Sequence, residues 1–358
     1  MLPLPVQKLL QQRKDRLRHD IDHCILCRRC LKVCPATGKD TAEMNELLFT
    51  LENKSEEPRG PLKRFVLNCS QCGLCSEVCP QGNRFDLMVQ ACKDKIRDLP
   101  DRYTLGTALK RQNPSLKEAL RMKAIYLKRR KQLGDLSLVL DKIPPKTEKL
   151  LYLGEHILLP SAAELQRQTD VPAMGGLKLA SGYDSLVQGQ WDDAFNQFEV
   201  LNHALQRAVP STVIVPSLAT YEAISFVQYM HNREFSLLSA LEWLKMQELT
   251  LKPPKKIAVY HNPWLRKLTQ TRIQDVFGRF CNILDVDEKN EFPVMEYNYD
   301  VDEANATKRH NLIAQARTDA ECLVVDCALT AQVLRKAVTK ENALAIYDVT
   351  EFVARYGQ

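Results

Sequence analysis

The chain has 358 residues, of which 45% are hydrophobic and 26% charged, with a formal net charge of +6. That length exceeds one ordinary core, so two domains with a connector are expected. The composition is that of a soluble globular protein: no apolar run of about 18 residues could span a bilayer, no secretory signal follows Met1-Leu2-Pro3-Leu4-Pro5, and the charge falls short of a nucleic-acid signature.

Taken in chain order, Val6, Leu9, Leu10, Leu17 and Ile21 recur at broadly helical spacing among Lys and Arg. Residues 4–20 are therefore expected to form an amphipathic helix packed on its own domain rather than on a membrane. Eight of the 12 cysteines follow in two groups that form an internal repeat. These are Cys24-x-x-Cys27-x-x-Cys30-x-x-x-Cys34-Pro35 and Cys69-x-x-Cys72-x-x-Cys75-x-x-x-Cys79-Pro80. Between them Thr41 to Leu51 is helix-like, and Glu57-Pro58-Arg59-Gly60-Pro61 reads as a turn. No cysteine occurs from Lys93 to Phe280, and such clustering points to metal rather than to disulfides, which a reducing cytoplasm would oppose.

Residues 98–149 are basic and punctuated and read as the connector, closed by Pro144-Pro145. Within it, Lys128-Arg129-Arg130-Lys131 reads as a solvated helix face before an acidic-partner or anionic-lipid site. Beyond it, short apolar runs at Leu150–Leu153, Thr212–Val215, Ile257–Tyr260, Leu323–Val325 and Ala345–Tyr347 alternate with helix-like segments. That alternation predicts an α/β domain with a mainly parallel sheet. The first and third runs resemble each other, as do the second and fourth, so two related halves are expected.

A cubane cluster takes four soft, deprotonated ligands, and three thiolates spaced two residues apart on a short loop can grip three of its irons. In a repeated motif of this kind the fourth cysteine begins a diverging segment and reaches the neighbouring cluster. The expected sets are Cys24, Cys27 and Cys30 with Cys79 for a first 4Fe-4S cluster, and Cys69, Cys72 and Cys75 with Cys34 for a second. Pro35 and Pro80 turn the chain away from each loop, and Gly73 can relax the second. Zinc knots, disulfides and coincidence are the competing readings, and a duplicated pattern with proline in both copies disfavours each. Arg28, Arg29 and Lys32 would favour the reduced form of the first cluster and raise its potential.

The motif pair resembles the two-cluster ferredoxin domains of iron-sulfur oxidoreductase subunits. These include the heterodisulfide reductase small subunit and the iron-sulfur subunits of glycolate oxidase, lactate oxidase and anaerobic glycerol-3-phosphate dehydrogenase. The resemblance covers roughly Asp20 to Leu99, and Pro58-Arg59-Gly60 looks like the turn between motifs of the glycolate oxidase type. The helical insertion implies the α-helical ferredoxin variant. The expected architecture is α+β and multi-domain: a ferredoxin-like domain at 1–100, a basic helical connector at 101–148, and an α/β domain of two related halves at 149–358.

Those families continue into a domain with two cysteine-rich CCG repeats, and residues 149–358 resemble it in order and length. The cysteines have gone: Gly154-Glu155, Leu179-Ala180-Ser181-Gly182 and Pro216-Ser217-Leu218-Ala219 stand in the first half without one. In the second half, His261-Asn262-Pro263-Trp264 looks like a His-Asp-Pro-Cys element, and Cys327-Ala328-Leu329-Thr330 keeps one thiol. Cys281, Cys322 and Cys327 could assemble a site with His261, but lone cysteines beside strands are more often small buried hydrophobes, and Cys92 reads the same way. Trp191 and Trp264 read as core or interface anchors.

The leading expectation is an electron-transfer subunit with two 4Fe-4S clusters and no catalytic residues of its own. It would work in a hetero-oligomer with a flavoprotein or a heterodisulfide-reductase-like assembly, the degenerate domain serving as docking surface. An enzymatic rival is a quinone or disulfide reductase using the second domain, which the missing CCG cysteines disfavour. A third reading is a structural or sensing iron-sulfur protein. No P-loop, Gly-x-Gly-x-x-Gly fingerprint or nucleophile and base pair is legible, so any flavin or nucleotide falls to a partner. The expected location is the cytoplasm, or the inner face of the membrane through that partner.

Overall fold

The computed structural model describes residues 15–34, 44–53, 57–69, 74–96, 142–154, 166–167, 170–176, 178–187, 191–269, 271–286, 303–339 and 343–357. Expectations for residues 4–14, for most of the connector including Lys128–Lys131, and for Pro35, Cys72, Gly73 and Glu155 lie outside the described residues, as do the side chains of Trp191 and Trp264.

The N-terminal part is helical. Residues 15–22 form α1, followed by α2 (Arg29–Val33), α3 (Met44–Glu52), α4 (Gly60–Asn68), α5 (Leu74–Glu77) and α6 (Phe85–Asp94). Pro61 stands in the first turn of α4, where its missing N–H has no intrahelical partner to lose. The last turn of α3 exposes carbonyls that Lys95 gathers: its ammonium donates to Thr50 O, to Leu51 O at 3.2 Å and to Asn53 O at 2.9 Å. A cation at a helix C-terminus also meets the negative end of the dipole.

Met44 and Leu47 of α3, Leu62, Phe65 and Val66 of α4, and Phe85, Met88, Val89 and Cys92 of α6 close one core. Cys30, Cys69 and Cys75 are buried in that same core. A helical unit this small buries little apolar surface, and metal ligation from inside it is the kind of staple such units use.

The rest is α/β. Its strands are β1 (Lys149–Gly154), β2 (Ala173–Gly175), β3 (Thr212–Val215), β4 (Ser236–Ser239), β5 (Lys256–Tyr260), β6 (Asn282–Asp285), β7 (Cys322–Val325) and β8 (Ala345–Asp348). Interleaved are α7 (Tyr183–Val187), α8 (Trp191–Ala208), α9 (Leu218–His231), α10 (Ala240–Lys245), α11 (Pro263–Leu268), α12 (Ile273–Phe277), α13 (Glu303–Asp319), α14 (Ala328–Lys336) and α15 (Val349–Tyr356).

Two four-stranded sheets result, in the orders β2-β1-β3-β4 and β6-β5-β7-β8. Every described pairing within them is parallel. The second order repeats the first element for element, so the two halves expected from sequence are the same topological unit used twice. The duplication reaches the helix caps. Ser239 caps α10 with Glu242 three residues on, and Asp348 caps α15 with Glu351 three residues on, each a reciprocal capping box following the last strand of its sheet.

Parallel strands covered on both faces carry continuous apolar runs, and β1, β3, β5 and β7 are buried along nearly their whole length. The two halves share a core: Leu151, Leu153 and Ile214 of the first sheet and Ile257, Val259 and Val324 of the second bury into one cluster with Trp243, Phe277 and Phe352. Phe277 and Phe352 meet edge to face with centroids 5.1 Å apart. At the strand ends the Ala328 N–H donates to Pro216 O at 3.3 Å, tying the halves by backbone. The helical part meets the α/β part where the buried Gln90 amide of α6 donates to Leu186 O at 2.5 Å.

Because Phe352 fills the shared core, Phe352→Ala should cost about 3–5 kcal/mol. Urea unfolding followed by tryptophan fluorescence should still show both halves melting in one transition; two separated transitions in the wild-type protein would contradict a shared core.

Candidate metal centre

The first motif begins where α1 ends, with the Cys24 N–H bonded to Ile21 O at 3.2 Å. Leu26 and Arg28 then adopt left-handed backbone at φ 56° and 59°. Such geometry costs non-glycine residues about 1–3 kcal/mol each and persists only where the surroundings over-determine it. Flanking Cys27, the two residues curl the loop tightly before α2 begins.

This curl borders a shallow recess lined by Cys24, Cys27, Cys30 and Cys79, with Met44, Phe85 and Met88 among its apolar walls. The first three thiols belong to the first motif and the fourth to the end of the second. Cys30 is buried, and burial together with the neighbouring Cys24 and Cys27 pushes its thiol up to about 11. A thiol so placed gives up its proton only to a strong compensating positive charge, which is what ligated iron provides.

The remaining cysteines of the repeat lie around the same core. Cys34 closes α2 and is half-buried, Cys69 closes α4 and is buried, and Cys75 is buried on α5; Cys72 lies outside the described residues. Helices α2 and α5 pack against each other, which sets the two motifs face to face. The buried Lys93 ammonium donates to Cys69 O at 2.7 Å and brings a positive charge to the second motif.

A buried carboxylate holds the arrangement. Asp20, at the end of α1, has no solvent exposure. One of its oxygens accepts from the Arg84 N–H at 3.0 Å, and the other pairs with Arg16 Nε at 2.9 Å. Its backbone carbonyl accepts from the Asn83 amide at 3.0 Å, and the Arg16 guanidinium also donates to Gly82 O at 2.7 Å. The segment that enters the first motif is thus bolted to the segment that leaves the second, beside Cys79.

Arg84 in turn forks onto Asp86 at 2.9 and 2.6 Å, and Asp86 accepts from the Ser76 hydroxyl at 2.5 Å. Burial alone would raise the Asp86 carboxyl, but the Arg84 fork, the Ser76 hydroxyl and the Leu87 N–H outweigh it and hold it below its usual range. Apart from Ser76, which lies inside the second motif, these clamp residues stand outside the cysteine motifs, and nothing in their sequence pattern singles them out.

No disulfide forms among the described cysteines. Among the described residues, no group of three or more His, Cys, Asp or Glu side chains is arranged to hold a metal ion. A zinc knot draws four sulfurs to about 2.3 Å from one centre, whereas a cubane is ligated at four separate corners. Four cysteines drawn from two motifs and lining one recess are the soft donor set that a 4Fe-4S cluster takes, so they fit that group.

The α/β part offers different chemistry. At the carboxyl ends of β5 and β7, where the second sheet changes direction and α/β folds place ligands, His261 is buried against Asp326. The distance from His261 Nδ1 to Asp326 Oδ2 is 3.1 Å, and His261 Nε2 lies 3.0 Å from Gln274 Oε1. The Gln274 amide nitrogen donates to the Asp285 carboxylate, so its oxygen must face the ring. Both ring nitrogens therefore point at acceptors, and the imidazole is held doubly protonated. Burial would lower its pKa, but the bond to Asp326 and that carboxylate's charge, with Gln274, outweigh burial and raise it.

Asp326 also accepts from the Asn262 N–H at 2.8 Å, and the Asn262 amide donates to Thr330 Oγ1 at 3.1 Å. His261 is thus a staple between strand ends, its nitrogens taken by Asp326 and Gln274 rather than offered to Cys281, Cys322 or Cys327. Cys322 and Cys327 are buried, and burial, with Cys281 nearby, pushes the Cys322 thiol up to about 12. Cys92 is likewise buried and pushed up to about 12, an inert filler of the helical core.

Residues 20–83 match the family model described as a 4Fe-4S dicluster domain, and the chain is an iron-sulfur protein. No curated protein matches the chain. Among solved structures, it is similar to a protein from Yersinia pestis provisionally described as an Asp/Glu racemase, at 12% identity and a TM-score of 0.29, over 58% of this chain and 96% of that one. It is also similar to a hypothetical protein from Helicobacter pylori, at 11% identity and a TM-score of 0.45, over 96% of this chain and 76% of that one. At these identities and scores neither neighbour bears on the chemistry. Among the described residues, no helix is long and apolar enough to cross a membrane.

Two outcomes follow from this geometry. Asp20→Ala leaves the Arg84 N–H without its acceptor and should destabilise the helical part by about 1.5–3 kcal/mol; chelator-driven bleaching of visible absorbance should speed up, and an unchanged rate would remove Asp20 from the account. For His261, the raised folded pKa means its stabilisation is complete below the unfolded value of about 6.5 and is lost as pH rises through the folded value. The stability gap between wild type and His261→Gln, measured by urea titration, should therefore be wide at about pH 6 and shrink toward about pH 9; a pH-independent gap would contradict a charged ring.

Proposed function

We propose that this chain is the electron-transfer iron-sulfur subunit of a multi-subunit oxidoreductase, relaying electrons through two 4Fe-4S clusters between a flavin-containing partner and another redox carrier. The observation that carries this reading is the convergence of Cys24, Cys27, Cys30 and Cys79 on one recess. Three ligands from one motif and the fourth from the other is the crossed pattern of two-cluster ferredoxins.

In this reading Cys24, Cys27, Cys30 and Cys79 hold the first cluster, and Cys69, Cys72, Cys75 and Cys34 hold the second. A bound cubane supplies reversible one-electron storage at a potential set by burial, hydrogen bonds to sulfur and nearby charge. The protein's own residues set those conditions. Met44, Phe85 and Met88 keep water from one side of the recess, Arg28, Arg29 and Lys32 place positive charge beside it, and Lys93 does the same behind Cys69.

The α/β part serves as scaffold and docking surface for a partner that carries out the substrate chemistry. What supports this assignment is its chemistry at the strand ends. There, where such folds usually bind ligands, His261, Asn262, Asp326 and Thr330 satisfy one another.

Crossed ligation can be tested by pairing variants. Cys79→Ser and Cys27→Ser should abolish the same EPR signal and leave about half the iron, while Cys34→Ser should abolish the other signal. If Cys79→Ser and Cys34→Ser act on the cluster of their own motif instead, the crossed assignment fails.

A further inference from the structure

We infer that the surface of the first motif is the port at which an acidic one-electron carrier protein docks, an inference that rests on the electron-transfer reading above. The first motif presents a distinctive surface. Cys27 is exposed, and the apolar residues around it face solvent: Ile25 is 59%, Leu26 43% and Val33 40% exposed. Among the described residues of the helical part, Phe49 on α3 is the other large apolar side chain this exposed. In the second motif, whose residues 70–73 lie outside the described residues, Cys69 and Cys75 are buried and Cys79 is half-buried.

Charge separates the motifs in the same direction. Between Cys24 and Cys34 stand Arg28, Arg29 and Lys32, all exposed, and no carboxylate; between Cys69 and Cys79 stands Glu77 and no cation. An apolar patch with a cluster of cations in the same segment has the anatomy of a transient protein contact, the charges steering approach and the apolar patch seating it. The backbone adds a reason for the exposure. Leu26 and Arg28, in left-handed conformation, belong to the same curl that lines the recess with Cys24, Cys27 and Cys30, so the loop that walls the recess is also the loop that solvent reaches.

A partner complementary to this face carries carboxylates around an apolar patch. Its docking would place the carrier's redox group beside Cys27, where one electron leaves the reduced carrier and enters the oxidised cluster with no transfer of atoms or protons. The α/β docking surface, on a different part of the chain, remains open to the second partner that a relay requires.

The test uses the full-length, cluster-loaded protein with oxidised flavodoxin as an acidic probe, so that binding is read without electron transfer. The Kd should rise at least about tenfold between about 20 and 300 mM salt, as screening shortens the reach of the charges. The combined Arg28→Glu, Arg29→Glu and Lys32→Glu variant should weaken binding about tenfold at low salt and flatten the salt dependence. Ile25→Ser with Leu26→Ser should weaken binding while leaving the salt slope as it was. A charge-matched control on the α/β part, Lys252→Glu, Lys255→Glu and Arg279→Glu, should leave Kd unchanged within about twofold.

All variants should keep the wild-type iron content and be reducible by photoreduced deazariboflavin, an uncharged small reductant, which reports that the clusters are in place even where the motif reversals lower the first cluster's potential. If the wild type is reduced by deazariboflavin but its binding is indifferent to the motif reversals, or equally sensitive to the control reversals, the docking face is overturned and the electron-transfer reading stands. If deazariboflavin reduces no sample, the electron-transfer reading falls and takes the docking face with it.

Discussion

The helical part depends on a carboxylate that water never reaches. A ligand set shared between two motifs works only if the loop of one is held against the exit of the other, and the chain between them is long enough to let them drift apart. Asp20 closes that gap by accepting from the Arg84 N–H and pairing with Arg16, while its carbonyl takes the Asn83 amide. The recess lined by Cys24, Cys27, Cys30 and Cys79 lies directly beyond this clamp. A buried charge is tolerated in so small a core because hydrogen-bond donors surround it; an apolar replacement would keep the packing and lose the register.

The α/β part solves a different problem with similar means. Two copies of a four-stranded parallel unit share one core through Trp243, Phe277 and Phe352, and the Pro216 to Ala328 backbone bond joins their strand ends. Where such a fold commonly keeps a ligand crevice, polar side chains neutralise one another across β5 and β7. His261 is the clearest case, a cation compensated by Asp326 on one side and, through Gln274, by Asp285 on the other. The match to a 4Fe-4S dicluster domain lies in the helical part, while the strand ends of the second sheet satisfy their own polar groups.

Sequence made the cysteine repeat and the central strands legible because both leave strong local signals: thiols at fixed spacing, and apolar runs that must be buried on both faces. It also located the duplication, through the likeness of β1 to β5 and of β3 to β7. The strands β2, β4 and β6 were not legible, since Ala173–Gly175 is three residues long and Ser236–Ser239 and Asn282–Asp285 carry the polar residues of sheet edges. The Asp20 clamp left no trace either, as a single aspartate gains its meaning only from Asn83 and Arg84 more than sixty residues away. His261 stood out in the sequence as part of a ligand-like element; its role as a staple depends on Asp326, which only the folded sheet brings to it.

The central claim, that the eight motif cysteines hold redox-active cubanes, is tested most directly by iron and acid-labile sulfide analysis of anaerobically purified protein, followed by stepwise reductive titration under EPR. About eight irons and eight sulfides per chain are expected, with two magnetically interacting 4Fe-4S signals that appear and vanish reversibly. Zinc in place of iron, or iron that stays silent across the titration, would contradict it.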